Sequence, residues 1–289
     1  MFAPAPPLPA TDVFPVDTLL RPADLEAYAR EMPLATTVVP RLQSLLHAEA
    51  ASIGDIVDLV MLDPGLALRL IQATAGPRHR QRLPAADLAS ALLQLGAEEI
   101  YCVTATYALG RLLHRSLRCY GLGPTEFWRR SVACALAMAD LAPAGGLDPR
   151  TAYTVGLLHA VGMVFIDRHF RCIGTPQLRF GPMLPERLPK AEMMLTGMHH
   201  ARAAAFVLRA WGFDEEIAEP VEHQLRPGGS LRHRAMTSLL AESRALALEL
   251  VPQLPPACDS LAESACPVIG DAWLAALAEH VLQLEAPPV

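Results

Sequence analysis

Lysine is nearly missing from this 289-residue chain: Lys190 stands alone, and arginine carries the rest of the 24 positive charges. Any anion recognition here relies on planar guanidinium forks rather than on ammonium point charges. Aromatic residues are also scarce, at 6%, too few for the stacking platforms that hold single-stranded nucleic acid. The six cysteines, at 102, 119, 134, 172, 258 and 266, never approach C-x-x-C spacing, which argues against a zinc or dithiol site and reads as buried thiols. The longest nearly uncharged stretch, Thr151 to Ile166, contains His159 and falls short of the roughly 18 to 20 apolar residues that cross a bilayer. Met1 to Val16 lacks a basic segment and holds five prolines, so it reads as neither signal nor transit peptide, and the chain is expected in the cytoplasm, away from membranes. There is no G-x-S-x-G elbow, Walker loop or H-E-x-x-H pair, and Gly121-Leu122-Gly123 is cut short as a dinucleotide loop by Pro124.

What is present is apolar and helical. A hydrophobic content of 52% excludes a wholly disordered chain. The net charge of -6 argues against attachment to nucleic acid or anionic lipid by overall charge. Alanine, leucine and arginine dominate, and apolar residues recur at three- and four-residue steps. Asp63-Pro64 and Asp148-Pro149 each place a capping acceptor before a proline that needs no N–H at the first helical position. Gly76, Gly96 and Gly212 stand where helices should stop.

These signals predict helices at 22–31, 38–48, 53–61, 64–75, 84–95, 97–117, 124–142, 149–168, 189–196, 199–211, 214–225, 231–249 and 268–284, with no strand. The expected fold is all-α: an N-terminal helical bundle packed on a second helical bundle. The division expected is a disordered Pro-rich tail (1–20), an N-terminal helical subdomain (21–118), a second helical subdomain (119–250), and a linker with a C-terminal helix (251–289).

Several segments carry more information than their periodicity. Gly156-Leu157-Leu158-His159-Ala160-Val161-Gly162 resembles the G-L-L-H-D-I-G signature of the HD superfamily of metal-dependent phosphohydrolases. Phe127-Trp128-Arg129-Arg130-Ser131 resembles its W-x-H-S segment, and Glu192 with Gly197-Met198-His199-His200-Ala201 its E...G-x-x-H-A segment. Trp211-Gly212-Phe213, Ile217 and Val221-Glu222-His223-Gln224 are similar to its W-x-L-P...I...H-H pattern. Ahead of these stand Met32-Pro33-Leu34, Leu62-Asp63-Pro64-Gly65-Leu66 with Arg69-Leu70, and Ala91 to Gly96. That order resembles the HDOD output-domain family, a degenerate branch of the HD superfamily, over roughly Met32 to Pro227. The resemblance implies an all-helical bacterial signalling protein whose second subdomain is a degenerate HD-like bundle, working as a regulatory or interaction module.

The ligand set is broken where the resemblance is closest. Arg130 stands at the first histidine position, Ala160 at the aspartate of HD, and Gln224 at the second of the terminal histidine pair. Arginine has no lone pair to give and repels a cation, and alanine gives nothing. No metal and no cofactor are therefore expected, and the chain is read as a non-enzyme. It should act through protein–protein contact with signalling partners, or as a homo-oligomer.

The alternative is a sensor that holds a small phosphorylated ligand, a nucleotide or cyclic nucleotide, in the vestigial pocket through Arg129, Arg130, His159, His200, His223 and Gln224. In the scaffold reading Arg130 instead pairs with a carboxylate such as Glu192 or Glu222. A residual metal-dependent phosphodiesterase on His159, His200 and His223 is the third reading. Two further basic clusters, Arg78-His79-Arg80-Gln81-Arg82 and Arg226 with Arg232-His233-Arg234, read as solvated loops or as contacts for an acidic protein. Arg111, Arg115 and Arg118 add a third group, and no nucleic-acid partner is expected.

Overall fold

The computed structural model describes residues 18–31, 39–42, 44–45, 53–61, 63–74, 85–113, 115–175, 179–180 and 187–251. Its elements are α1 (Pro22–Arg30), α2 (Ile53–Val60), α3 (Pro64–Ala73), α4 (Leu88–Leu113), α5 (Pro124–Leu141), α6 (Pro149–Leu158), α7 (Val161–Cys172), α8 (Leu188–Thr196), α9 (His200–Ala210), α10 (Glu215–His223) and α11 (Arg234–Leu250). Among the described residues the one extended pairing is the isolated bridge between Leu117 and Leu122, so the fold is all-α, as expected. The Arg78 to Arg82 cluster, the tail up to residue 17 and the expected helix at 268–284 lie outside the described residues.

The caps work as their chemistry dictates. Asp63 adopts an extended backbone and accepts hydrogen bonds from the amides of Gly65 (2.9 Å) and Leu66 (3.3 Å). Asp148 accepts from Thr151 N (2.8 Å) and its hydroxyl (2.9 Å). Each aspartate thereby satisfies donors that a helix start leaves open.

The core is centred on α5 and α6, whose central residues are buried all round, from Phe127 to Ala139 on α5 with few exceptions and from Thr151 to Leu158 on α6. A helix without a polar face must be enclosed by others. Here α11 packs on α5, α10 on α6, and α4 runs against both, while α9 packs on α7 and α10. Helices α2 and α3 lie on α4.

Three sequence boundaries shift. The run expected as two helices meeting at Gly96 does break there, at φ 76 and ψ 167, but it ends at Leu113 instead of at 117. The single helix expected at 149–168 is two, α6 and α7, because Ala160 leaves helical geometry at φ -101 and ψ 5. At the start of the chain, α1 packs on α7 and α9, so it joins the second bundle instead of the N-terminal one. Thr18 and Leu20, grouped with the tail by composition, are buried. Leu20 N donates to Thr196 O at 2.9 Å.

Gly156 and Gly162 explain why helices cross so closely around His159. A Cβ on Gly156 would stand 2.6 Å from Ala135 Cα on α5, and one on Gly162 would collide with the His200 carbonyl at the start of α9. Only glycine permits either approach. The pair therefore fixes α6 on α5 and α7 on α9, with His159 between them.

Candidate functional site

Helix α8 ends at Gly197, whose φ of 71 turns the chain back so that α9 can begin three residues later. That reversal brings Glu192 onto the N-terminus of α9. Glu192 is fully buried. Its Oε2 accepts hydrogen bonds from His200 N (2.9 Å) and His200 Nδ1 (2.8 Å), and its Oε1 accepts from the Tyr120 hydroxyl (2.7 Å). Burial raises the Glu192 carboxyl, but the charge and hydrogen bonds of His200, together with Tyr120, outweigh it and hold the group below its usual range. A carboxylate at a helix N-terminus is further favoured by the helix dipole.

His159 sits at the C-terminus of α6, where its Nδ1 donates to the Gly156 carbonyl at 2.6 Å. Burial pushes its pKa down to about 3, with Arg244 and His200 adding to the drop against the opposing Gly156 bond. It is therefore a neutral imidazole. Gln224 closes the same helix end: its Nε2 donates to the carbonyls of His159 (2.8 Å) and Val221 (2.9 Å). This satisfies an acceptor that a helix C-terminus leaves open.

The residue that sequence reasoning missed is Arg244 on α11. Its Nη1 donates to the Gln224 carbonyl at 3.3 Å, and its charge acts on His159 and on the buried Cys134. Burial lowers the guanidinium's own pKa, and Cys134 and Glu192 pull it back up. The available signal was its register: it lies four residues after buried Leu240 and three before buried Ala247, on the apolar face of α11.

The other candidates lie elsewhere. Arg130 forms an ion pair with Glu126, one turn back on its own helix, while Glu192 is engaged by His200 and Tyr120 and Glu222 pairs with Arg209 at 2.7 Å. Arg129 is half-buried on α5. His223 packs beside Gly229, its Nδ1 2.9 Å from where a Cβ there would stand. Among the described residues no hydrogen bond or ion pair joins Arg129 to His159, His200 or His223. The structure thus gathers Glu192, His200, His159, Gln224 and Arg244, with Tyr120 and Cys134, and leaves Arg129, Arg130 and His223 outside that group.

The thiols are less uniform than their sequence context suggests. Cys119 and Cys134 are buried, Cys102 is half-buried and Cys172 is exposed. Burial pushes the Cys134 thiol up to about 12, which keeps it inert as a nucleophile.

This donor set does not fit a divalent cation. Its one buried carboxylate is taken up by His200 and Tyr120, a guanidinium stands beside His159, and Ala160 and Arg130 donate nothing. Among the described residues no three His, Cys, Asp or Glu side chains converge in a metal-holding group.

An all-helical scaffold with two close-packed glycines around a motif histidine, and with its ligand positions only partly kept, defines a degenerate HD-type protein. The HDOD domain family matches residues 32–227, and the chain belongs to that family. It is similar to an HDOD domain protein of unknown function from Geobacter sulfurreducens (TM-score 0.64, 20% identity, 91% of this chain and 95% of that one). It is also similar to a candidate phosphohydrolase from Shewanella amazonensis SB2B (TM-score 0.63, 19% identity, 91% and 95%). A third likeness is to a candidate signal transduction protein from Marinobacter aquaeolei VT8 (TM-score 0.60, 20% identity, 90% and 58%). A comparison with curated proteins finds no match. Among the described residues no helix is long and apolar enough to cross a membrane.

Proposed function

We propose that this protein is a non-catalytic HDOD module of a bacterial signalling pathway, acting in the cytoplasm through protein–protein contact. The observation that carries the reading is the state of Glu192. The carboxylate that would serve chemistry is spent inside the fold on His200 and Tyr120. Beside it, Arg244 supplies a fixed positive charge where hydrolytic chemistry would need a cation held by carboxylates and imidazoles.

A phosphorylated ligand anchored by Arg130 has less support, since that guanidinium is engaged by Glu126 and His223 lies against Gly229.

The test is a turnover assay with bis(p-nitrophenyl) phosphate and cyclic dinucleotides in the presence of manganese, magnesium or zinc, run beside a metal-dependent thermal shift. The expected result is no hydrolysis and no metal-induced stabilisation. Turnover that disappears in His159→Gln and His200→Ala would overturn the reading.

A further inference from the structure

A cleft of about 410 Å³ opens where the ends of α4 and α7 meet the 115–122 turn, lined by Arg115, Ser116, Arg118 and Arg171. We propose that this cleft binds a small molecule bearing a diphosphate or longer phosphate chain.

Three guanidinium groups converge on one concavity in a protein whose net charge is -6. Asp167 offsets the charge of Arg171, and an anion in the cleft would meet the exposed Arg118 guanidinium directly. A helix C-terminus favours a nearby arginine and so accounts for Arg171 in the last turn of α7. It does not account for Arg118, which belongs to a short 3-10 turn. The Arg118 side chain is exposed and has no protein partner among the described residues.

The walls are held before any ligand arrives. Asp167 is buried, and its Oδ1 accepts from Cys119 N at 2.9 Å while its Oδ2 pairs with Arg171 Nε at 3.1 Å. One carboxylate thus ties both sides of the cleft, and the Arg171 side chain stays partly exposed. Phe180 N donates to Cys119 O at 2.7 Å, Leu117 and Leu122 exchange bonds of 2.9 and 3.2 Å, and Gly121 turns the chain at φ 68. The Arg171 fork held in this way, with the Arg118 guanidinium in the same lining, offers donors to the several oxygens of a phosphate chain.

The lining offers guanidinium donors and a hydroxyl but no aromatic ring, so phosphate and not a base supplies the recognition. Diphosphate could arrive free or on a nucleotide, and the experiment separates the two.

Calorimetric titration of the full chain at constant ionic strength with inorganic pyrophosphate, ADP, AMP and sulfate makes the test. Saturable pyrophosphate binding is expected, weakened about tenfold or more in Arg118→Glu and in Arg171→Gln. The Arg118→Glu variant should keep the wild-type melting temperature, because its side chain has no partner to lose. ADP binding more tightly than pyrophosphate assigns the site to a nucleotide, and equal or weaker ADP binding assigns it to free diphosphate; both uphold the proposal. It is overturned if neither pyrophosphate nor ADP saturates by about 10 mM, if sulfate binds as tightly as pyrophosphate, or if a folded Arg118→Glu binds as the wild type does.

Discussion

Glu192 is the residue on which the buried centre turns, because it accepts from a backbone amide, an imidazole and a phenol at once. Replacing it with Gln removes the charge, and its amide cannot accept from three donors at both ends. We expect Glu192→Gln to destabilise the protein by roughly 3 kcal/mol, the usual cost of breaking a buried, hydrogen-bonded charged group; urea unfolding measures it. Tyr120→Phe removes one hydroxyl donor from the same carboxylate and should cost about 1 to 2 kcal/mol. Arg244 acts on a different observable. Its charge helps hold His159 neutral, so Arg244→Met should move the His159 titration upward, as followed by imidazole NMR across a pH series. No change in that titration would mean that burial alone sets the His159 proton affinity.

At the scale of elements, two glycines do what no side chain could. Helices α6 and α7 approach α5 and α9 to a distance at which a single methyl group meets backbone at Gly156 and Gly162. Backbone cannot yield as a flexible side chain does, so whole helices must separate. Gly162→Ala should cost about 2 to 3 kcal/mol by overpacking. Gly228→Ala, where an added Cβ meets nothing within 4 Å, should leave the melting temperature near wild type. A Gly162→Ala protein as stable as the Gly228→Ala control would show that the crossing can relax.

Across the whole molecule, the buried histidines set a pH dependence. Folded His159 stays neutral down to about pH 3, whereas in the unfolded chain it takes up a proton near pH 6.5. Between those values the unfolded state binds more protons, so stability falls as pH is lowered. From pH 7 to pH 5 the loss from His159 should be roughly 2 kcal/mol. Burial shifts His169 and His199 in the same direction. Glu192, held below its usual range, adds its own loss only further down, as pH falls below the ordinary carboxylate range. Denaturant unfolding at the two pH values measures the drop, and His159→Gln should flatten much of it. A wild-type stability that does not change over this window would remove the neutral buried imidazole from the account.

Most helices of the described residues, the aspartate caps of α3 and α6 and the break at Gly96 were legible in the sequence, because each depends on neighbours within one turn. The family was legible too, through motifs that stand in order along the chain. The partners of the site were not. The motif order places Arg130 toward a pocket ligand or, in the scaffold reading, toward a distant carboxylate, yet it meets Glu126 four residues away, within side-chain reach on one helix. Arg244 lies beyond the matched residues 32–227, and the packing of α11 on α5, α6 and α10 brings it near His159 and Gln224. The break of the 149–168 helix at Ala160 likewise lies between the close seats of Gly156 and Gly162, which no local signal marked. Sequence alone determined which segments are helical and which family they make, since periodicity and capping are local. Tertiary structure decided which charges meet, because that depends on how closely separate helices can approach.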